Sequence, residues 1–393
     1  MSPSHPLFFV IIYLIAFSTA FLIQLRFKNT VTSSRYETID GLRGLLALGV
    51  LIHHSAIWFR FLKTGKWSSV SSNLYNQFGG TCVLFFFMIT GFLFISKLLQ
   101  VRDEGINWNH FFISRIFRLF PMYYLSIAIV VITVLVMSNW QLHVGFVQLL
   151  NQLSHWIFFT FDTMPDLNNI RKTFIVNAGV TWSLSYEWFF YFVLPILSLF
   201  VFKKHQKPWY LFICIALVVC YFYVRGSQES DIFCLAFLSG AIPAFLIRYT
   251  NFAEKAKGCI ESLIGSLIVI VCLVGIVQYN HVNIYTILYS TVIFTLIAIG
   301  NSMFGLLRLS FVKFLGDISY SIYLLHGIVL FYAFHFLIGM ETVRKFTTIQ
   351  YSFVTFAIVP LLVCICFLTY NYIEKPLMNY GKKLVSRPTK NEL

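Results

Sequence analysis

The chain has 393 residues, 58% hydrophobic, 19% aromatic and only 11% charged, with a mean hydropathy of +0.77. That much apolar surface excludes a soluble globular domain, and repeated runs of about 20 apolar residues read as transmembrane helices. The net charge of +14 does not point to nucleic acid, because the basic residues sit between apolar segments, as the Lys and Arg of cytoplasmic loops do.

Eleven helices of spanning length are predicted, at 7–25, 42–62, 80–99, 119–137, 182–202, 209–224, 231–247, 259–278, 284–300, 316–338 and 351–373. The first lacks a basic leader and a clear small-residue cleavage site, so it reads as a retained helix. A weaker stretch at 146–161 carries Asn151, Gln152, Ser154 and His155 and is expected to lie amphipathically at the interface. The longest loop is 138–181. The eight cysteines fall in or beside apolar runs without paired spacing, so neither a disulfide framework nor a bound metal is expected. Twenty of the 29 basic residues fall on one side of this arrangement and eight on the other, with Arg43 inside a helix. The bias puts the N-terminus outside and the C-terminus in the cytoplasm.

In the second helix, "DGLRGLLALGVLIHH" sets Arg43, His53 and His54 among leucines, where ionisable groups are expensive and mark function by default. Asp40 reads as the N-cap. Eleven residues bring His54 back to within about 20° of Arg43 and about 16 Å deeper, with Ala47 and Val50 on the stripe between. His53 points about 80° away and reads as a side chain bonded to a neighbouring helix. A cation at the mouth of such a lane and an imidazole at its end suit a long ligand with an anionic head and a reactive far end. A neutral imidazole there can take a proton.

Further along, Arg115 and Arg118 are neighbours on one helical face, two forks that match phosphate oxygens. Glu187 lies one turn into a helix entering from outside, with Ser183 and Ser185 beside it. It is placed to bind sugar hydroxyls or to orient an imidazole. His326, near the midplane, is open between a satisfied core histidine and a site residue. Asp317 reads as an N-cap, Tyr320 and Tyr323 as core aromatics, and Glu374 as a partner of nearby basic residues.

These strings, in order, resemble the acyltransferase 3 family, membrane enzymes that O-acetylate carbohydrates, especially bacterial surface polysaccharides. "DGLRGLLALGVLIHH" is similar to its opening motif, "VLFFFMITGFLF" to its third-segment pattern and "SRIFRLFPMYYL" to its RxxR segment. "TWSLSYEWFFYFVLP", "LGDISYSIYLLHGIV" and "YIEKPL" resemble its three later motifs. Thr90 departs from the serine many members show. The resemblance implies an all-α polytopic transmembrane bundle, a ten-helix core plus one extra N-terminal helix. It divides the chain into an N-terminal helix and linker at 1–37, the acyltransferase membrane domain at 38–378 and a basic cytoplasmic tail at 379–393. It also implies acetyl-CoA as acyl donor from the cytoplasm and a glycan hydroxyl as acceptor. The family's essential arginine and histidine fall on Arg43 and His54, and its RxxR pair on Arg115 and Arg118.

The expectation is therefore an O-acyltransferase in the bacterial inner membrane. Its catalytic residues are His54, Arg43 and Glu187, the donor is held by Arg43, Arg115 and Arg118, and the acceptor by Glu187, Ser183 and His326. No metal is called for, and expected partners are acyl-CoA, a glycan, membrane lipids and glycan-assembly proteins. Some members carry a further hydrolase-like domain, and without one a different acceptor or a separate partner is expected. The competing reading is a transporter or flippase of lipid-linked sugars, which the same intramembrane charges would serve.

Overall fold

The computed structural model describes residues 5–27, 36–103, 105–158, 164–201 and 229–386. In chain order the helices are α1 (Pro6–Phe27), α2 (Glu37–Thr64), α3 (Asn73–Gln100), α4 (Trp108–Met137), α5 (Phe146–Ile157), α6 (Trp182–Val201) and α7 (Glu229–Tyr249). They continue as α8 (Phe252–Glu261), α9 (Leu263–Val277), α10 (Ile284–Ile299), α11 (Ser310–Asp317), α12 (Ser319–Tyr332), α13 (Met340–Lys345), α14 (Thr348–Thr369) and α15 (Lys375–Ser386). An isolated bridge between Leu167 and Ile170 is the only strand-like pairing among the described residues. Seven helices there are long and apolar enough to cross a membrane, and the chain is an all-α polytopic integral membrane protein.

The expected helix at 209–224 and the end of the tail, 387–393, lie outside the described residues. The expected span at 259–278 is instead a bent pair, α8 and α9, with 83° between them. Ser262 makes the break: its side chain accepts from the Ile264 amide and caps α9. Asp40 is not an N-cap either, because α2 already begins at Glu37, with Tyr36 at the cap. Asp317 closes α11, and Ile318 occupies the cap of α12. Asp40 thus stands within the first turn of α2, and Asp317 at the end of one helix rather than the start of the next.

Burial sorts the helices by role. On α1 only Phe8, Ile12, Ala16, Ala20 and Ile23 are buried, a stripe at helical spacing that docks one face and leaves the rest for lipid. On α12 every residue from Ser319 to Phe331 is buried, and on α2 the run from Leu46 to Ile52 is. Between apolar helices in lipid, close approach comes from small residues. A Cβ on Gly91 of α3 would run into the Phe237 carbonyl of α7, and one on Gly240 of α7 into the Met88 carbonyl of α3. The two glycines thus seat the helices backbone to backbone.

The C-terminal part of the longest loop folds inward. Leu167, Asn168, Thr173, Asn177 and Thr181 are each 1% exposed or less. The 3-10 turn Thr173–Asn177 rests against α12 at Gly327, where a Cβ would meet the Asn177 backbone. Lys172 and Ala178, at φ of 61° and 57°, hold left-handed conformations at either end of that turn, a strain that the surrounding packing maintains. As a result the first turn of α6 is enclosed at Ser183, Leu184 and Ser185, while Trp182 stays exposed.

Candidate functional site

A cavity of about 350 Å³ opens between α3, α4, α6 and α12, at the small end of the range for ligand pockets. Arg43 of α2, Arg115 and Arg118 of α4, and Lys382 of α15 all line it. Arg115 and Arg118 share one face of α4 because they are three residues apart. The Arg115 guanidinium lies 5.1 Å above the Phe94 ring. Arg118 Nη1 is 3.8 Å from Glu374 Oε1, and Ser321 donates to Glu374 Oε2 at 2.9 Å. Glu374, expected to pair with a nearby basic residue, does so while fully buried. Arg43 makes no hydrogen bond or ion pair among the described residues, so its fork is free to meet a ligand's anion.

Glu187 lines this same cavity, with the Tyr191 hydroxyl donating to its carboxylate. It stands with the arginines because Ser183, Leu184, Glu187 and Tyr191 put one face of α6 against the cavity. Ser183, a turn earlier, closes the inner end of the cavity. Its Oγ lies 2.7 Å from the Tyr323 hydroxyl, which also donates to the Val180 carbonyl at 3.0 Å. Tyr323, expected to be only a core aromatic, therefore stands between the cavity and the histidines. One turn further along α12, His326 Nε2 is 2.9 Å from His54 Nδ1.

The stripe between Arg43 and His54 is not an open lane. Ala47 and Val50 are 0% and 1% exposed, covered by the neighbouring helices, and neither lines the cavity. His54 itself is half-buried. Its ring faces Trp67, from the α2–α3 connection, with centroids 6.4 Å apart and planes 23° from parallel. Trp67 in turn touches Trp58, Phe61 and Phe174, so an aromatic wall flanks the histidine on the side away from the arginines. His53 points elsewhere: its Nδ1 bonds the Tyr75 carbonyl of α3 at 2.7 Å, and its ring lies where a Cβ on Gly79 would be.

Every expected site residue thus belongs to one connected set. Arg43, Arg115, Arg118 and Glu187 meet in the cavity, Ser183 closes it through Tyr323, and His326 and His54 pair behind that point. Lys382 and Tyr191 join them without having been singled out, and Tyr323 joins them although it reads as a core aromatic. Tyr191 was open to reading, four residues after Glu187 on the same face. Lys382 was hidden by its place in a tail that reads as solvated but folds as α15. Chemically the set offers cations for a polyphosphate, a hydroxyl pair where the cavity closes and an imidazole able to move a proton.

The sequence profile of a family described as "Acyltransferase domain" matches residues 36–371. A protein of Staphylococcus aureus (strain COL) with the provisional name of O-acetyltransferase is 25% identical over 384 residues, covering 89% of this chain and 59% of its own length. A protein of Bacillus subtilis (strain 168), provisionally named for O-acetylation of peptidoglycan, is 22% identical over 89% of this chain and 56% of its own length. Nodulation protein 10 of Rhizobium leguminosarum bv. viciae is 25% identical over 48% of this chain and 51% of its own length. The chain therefore spans under two thirds of the length of each of these relatives. No solved structure matches it.

Proposed function

The chain belongs to this acyltransferase family, and from that premise we propose that it moves an acetyl group from acetyl-CoA to a hydroxyl of a surface or lipid-linked glycan. In this reading it works across a bacterial inner membrane, with the arginine end of the cavity facing the cytoplasm. The observation that carries it is the continuity of the set: three arginines and a lysine at one end, and an imidazole behind Tyr323 at the other.

Arg43, Arg115, Arg118 and Lys382 hold the nucleotide phosphates of the donor, the arginines as bidentate forks. The pantetheine arm extends along the cavity toward Ser183 and Tyr323, whose hydrogen bond yields to let the thioester approach. The acceptor comes from the other side, past Trp67. His54 removes the proton from its hydroxyl as the oxygen attacks the thioester carbonyl. The carbon–sulfur bond then breaks, and the proton passes from His54 to the departing thiolate. Holding donor and acceptor together in a dry site supplies much of the acceleration. Glu187, among the arginines, balances their charge while the cavity is empty.

The test is transfer of radiolabelled acetyl from acetyl-CoA to glycan in membranes, comparing the natural chain with His54→Ala and His53→Ala. The expected result is labelling by the natural chain and His53→Ala, with a loss of about 10²- to 10⁴-fold in His54→Ala, the usual contribution of a general base. Labelling that does not depend on His54 would remove it from the chemistry. No labelling with acceptor present would favour a translocation path for an intact sugar.

A further inference from the structure

The pairing of His326 with His54 fixes where the protons on both rings must be. His326 Nδ1 lies 3.0 Å from the Ile322 carbonyl oxygen. A carbonyl only accepts, so Nδ1 carries the hydrogen, and in a neutral imidazole Nε2 is then the lone pair. That lone pair faces His54 Nδ1 at 2.9 Å. The other neighbour of His54 Nδ1 is the Val50 carbonyl at 3.2 Å, again an acceptor. Two acceptors around one nitrogen require it to be the donor, which leaves His54 Nε2 unprotonated.

We propose that His326 is a positioning residue that locks His54 in its Nδ1–H tautomer, making Nε2 the atom that takes the proton from the acceptor hydroxyl. This rests on the reading of His54 as the base. The Val50 carbonyl alone is a weak lock. At 3.2 Å it is the longer of the two contacts to His54 Nδ1, and longer than the 3.0 Å bond from His326 Nδ1 to Ile322. His326 supplies the directional bond, from a helix that cannot turn. All of α12 around it is buried, and Gly327 lies against the Asn177 backbone.

An aspartate does this work in the familiar serine triad, where it holds the imidazole in tautomer and orientation. Here the orienting group is neutral at rest, which spares the apolar interior an unpaired carboxylate. During the reaction the hydroxyl proton moves to His54 Nε2, the new carbon–oxygen bond forms, carbon–sulfur breaks, and Nε2 returns that proton to the thiolate. The Nδ1 hydrogen stays in place throughout, directed at His326.

The experiment uses the full chain in proteoliposomes, with His326→Leu and His326→Gln beside the natural sequence. Leucine removes the acceptor, whereas the glutamine oxygen reaches the region of Nε2 and accepts the same bond. The expected result is a fall of about 100-fold in kcat for His326→Leu, within the range for general-base catalysis, with KM for acetyl-CoA nearly unchanged. His326→Gln is expected to recover most of that loss. Nitrogen-15 spectra of histidine-labelled protein should place the His54 hydrogen on Nδ1 in the natural chain and in His326→Gln. In His326→Leu the two tautomers should mix.

A His54 hydrogen on Nε2 in the natural chain would overturn the proposal. So would full kcat in His326→Leu, or a His326→Gln as inactive as His326→Leu at an unchanged thermal midpoint. Should His326→Leu fail to fold, the spectra of the other two chains still decide. Because those spectra need no turnover, absence of acetyl transfer by the natural chain would retire the proposed reaction while leaving the lock to stand or fall on its own.

Discussion

Glu374 is fully buried, and its two oxygens do different things. Oε2 accepts from Ser321, while Oε1 faces Arg118 at 3.8 Å without a hydrogen bond. Removing one charge from a buried pair costs up to about 3–5 kcal/mol because the other is left uncompensated. Arg118 remains 19% exposed toward the cavity, so water carries part of that burden, and Glu374→Gln is expected to cost about 2 kcal/mol. A fall of a few degrees in thermal midpoint in detergent would show it, and an unchanged midpoint would mean the pair adds nothing to stability. Arg43 and His54 are legible in the sequence because charge inside an apolar run stands out and helical phase relates the two. The partner of His54 is not legible. His326 lies 272 residues away, and no periodicity within either helix encodes which ring meets which.

Among the helices, the seat between α3 and α7 is the most exacting. The obstacle to a side chain at Gly91 or Gly240 is a backbone carbonyl, which cannot swing aside as a side chain does. Gly91→Ala should therefore force the helices apart at a cost of about 1–3 kcal/mol, typical of overpacking. Denaturation of the purified protein would measure it, and a stability equal to that of the natural chain would mean the helices can slide. At Gly79 the obstacle is the His53 ring, whose centroid is 5.0 Å from that of His54. Gly79→Ala is expected to displace that ring and lower acetyl transfer several-fold, although Gly79 touches no part of the cavity. Most helices are legible from apolar length alone. The break at Ser262 is not, because the hydropathy of 259–278 runs straight through a cap. The inward fold of 164–181 is not either, because polar residues such as Asn177 and Thr181 read as surface until packing encloses them. That fold sets Glu187 in the cavity beside Arg43, Arg115 and Arg118.

Across the whole molecule, the two ends of the bundle differ in chemistry, and the proposed reaction needs them to face different compartments. In that reaction the cations at one end would meet a charged, impermeant donor, and the aromatic wall around Trp67 would meet the acceptor at the other. Lys382 belongs to the first end: it lines the cavity and is exposed. Lys382→Glu is expected to raise KM for acetyl-CoA about tenfold at low ionic strength with kcat little changed, and added salt should shrink the difference, because exposed charges are screened within about 10 Å at 0.1 M. A change in kcat alone would place Lys382 away from the donor. Sidedness itself is testable in sealed vesicles of known orientation. If the basic end is cytoplasmic, inverted vesicles should consume externally added acetyl-CoA, and right-side-out vesicles should consume it only after permeabilisation. Equal use by both would show that the donor does not enter through the arginine cavity, and use by right-side-out vesicles alone would reverse the orientation drawn from the basic loops.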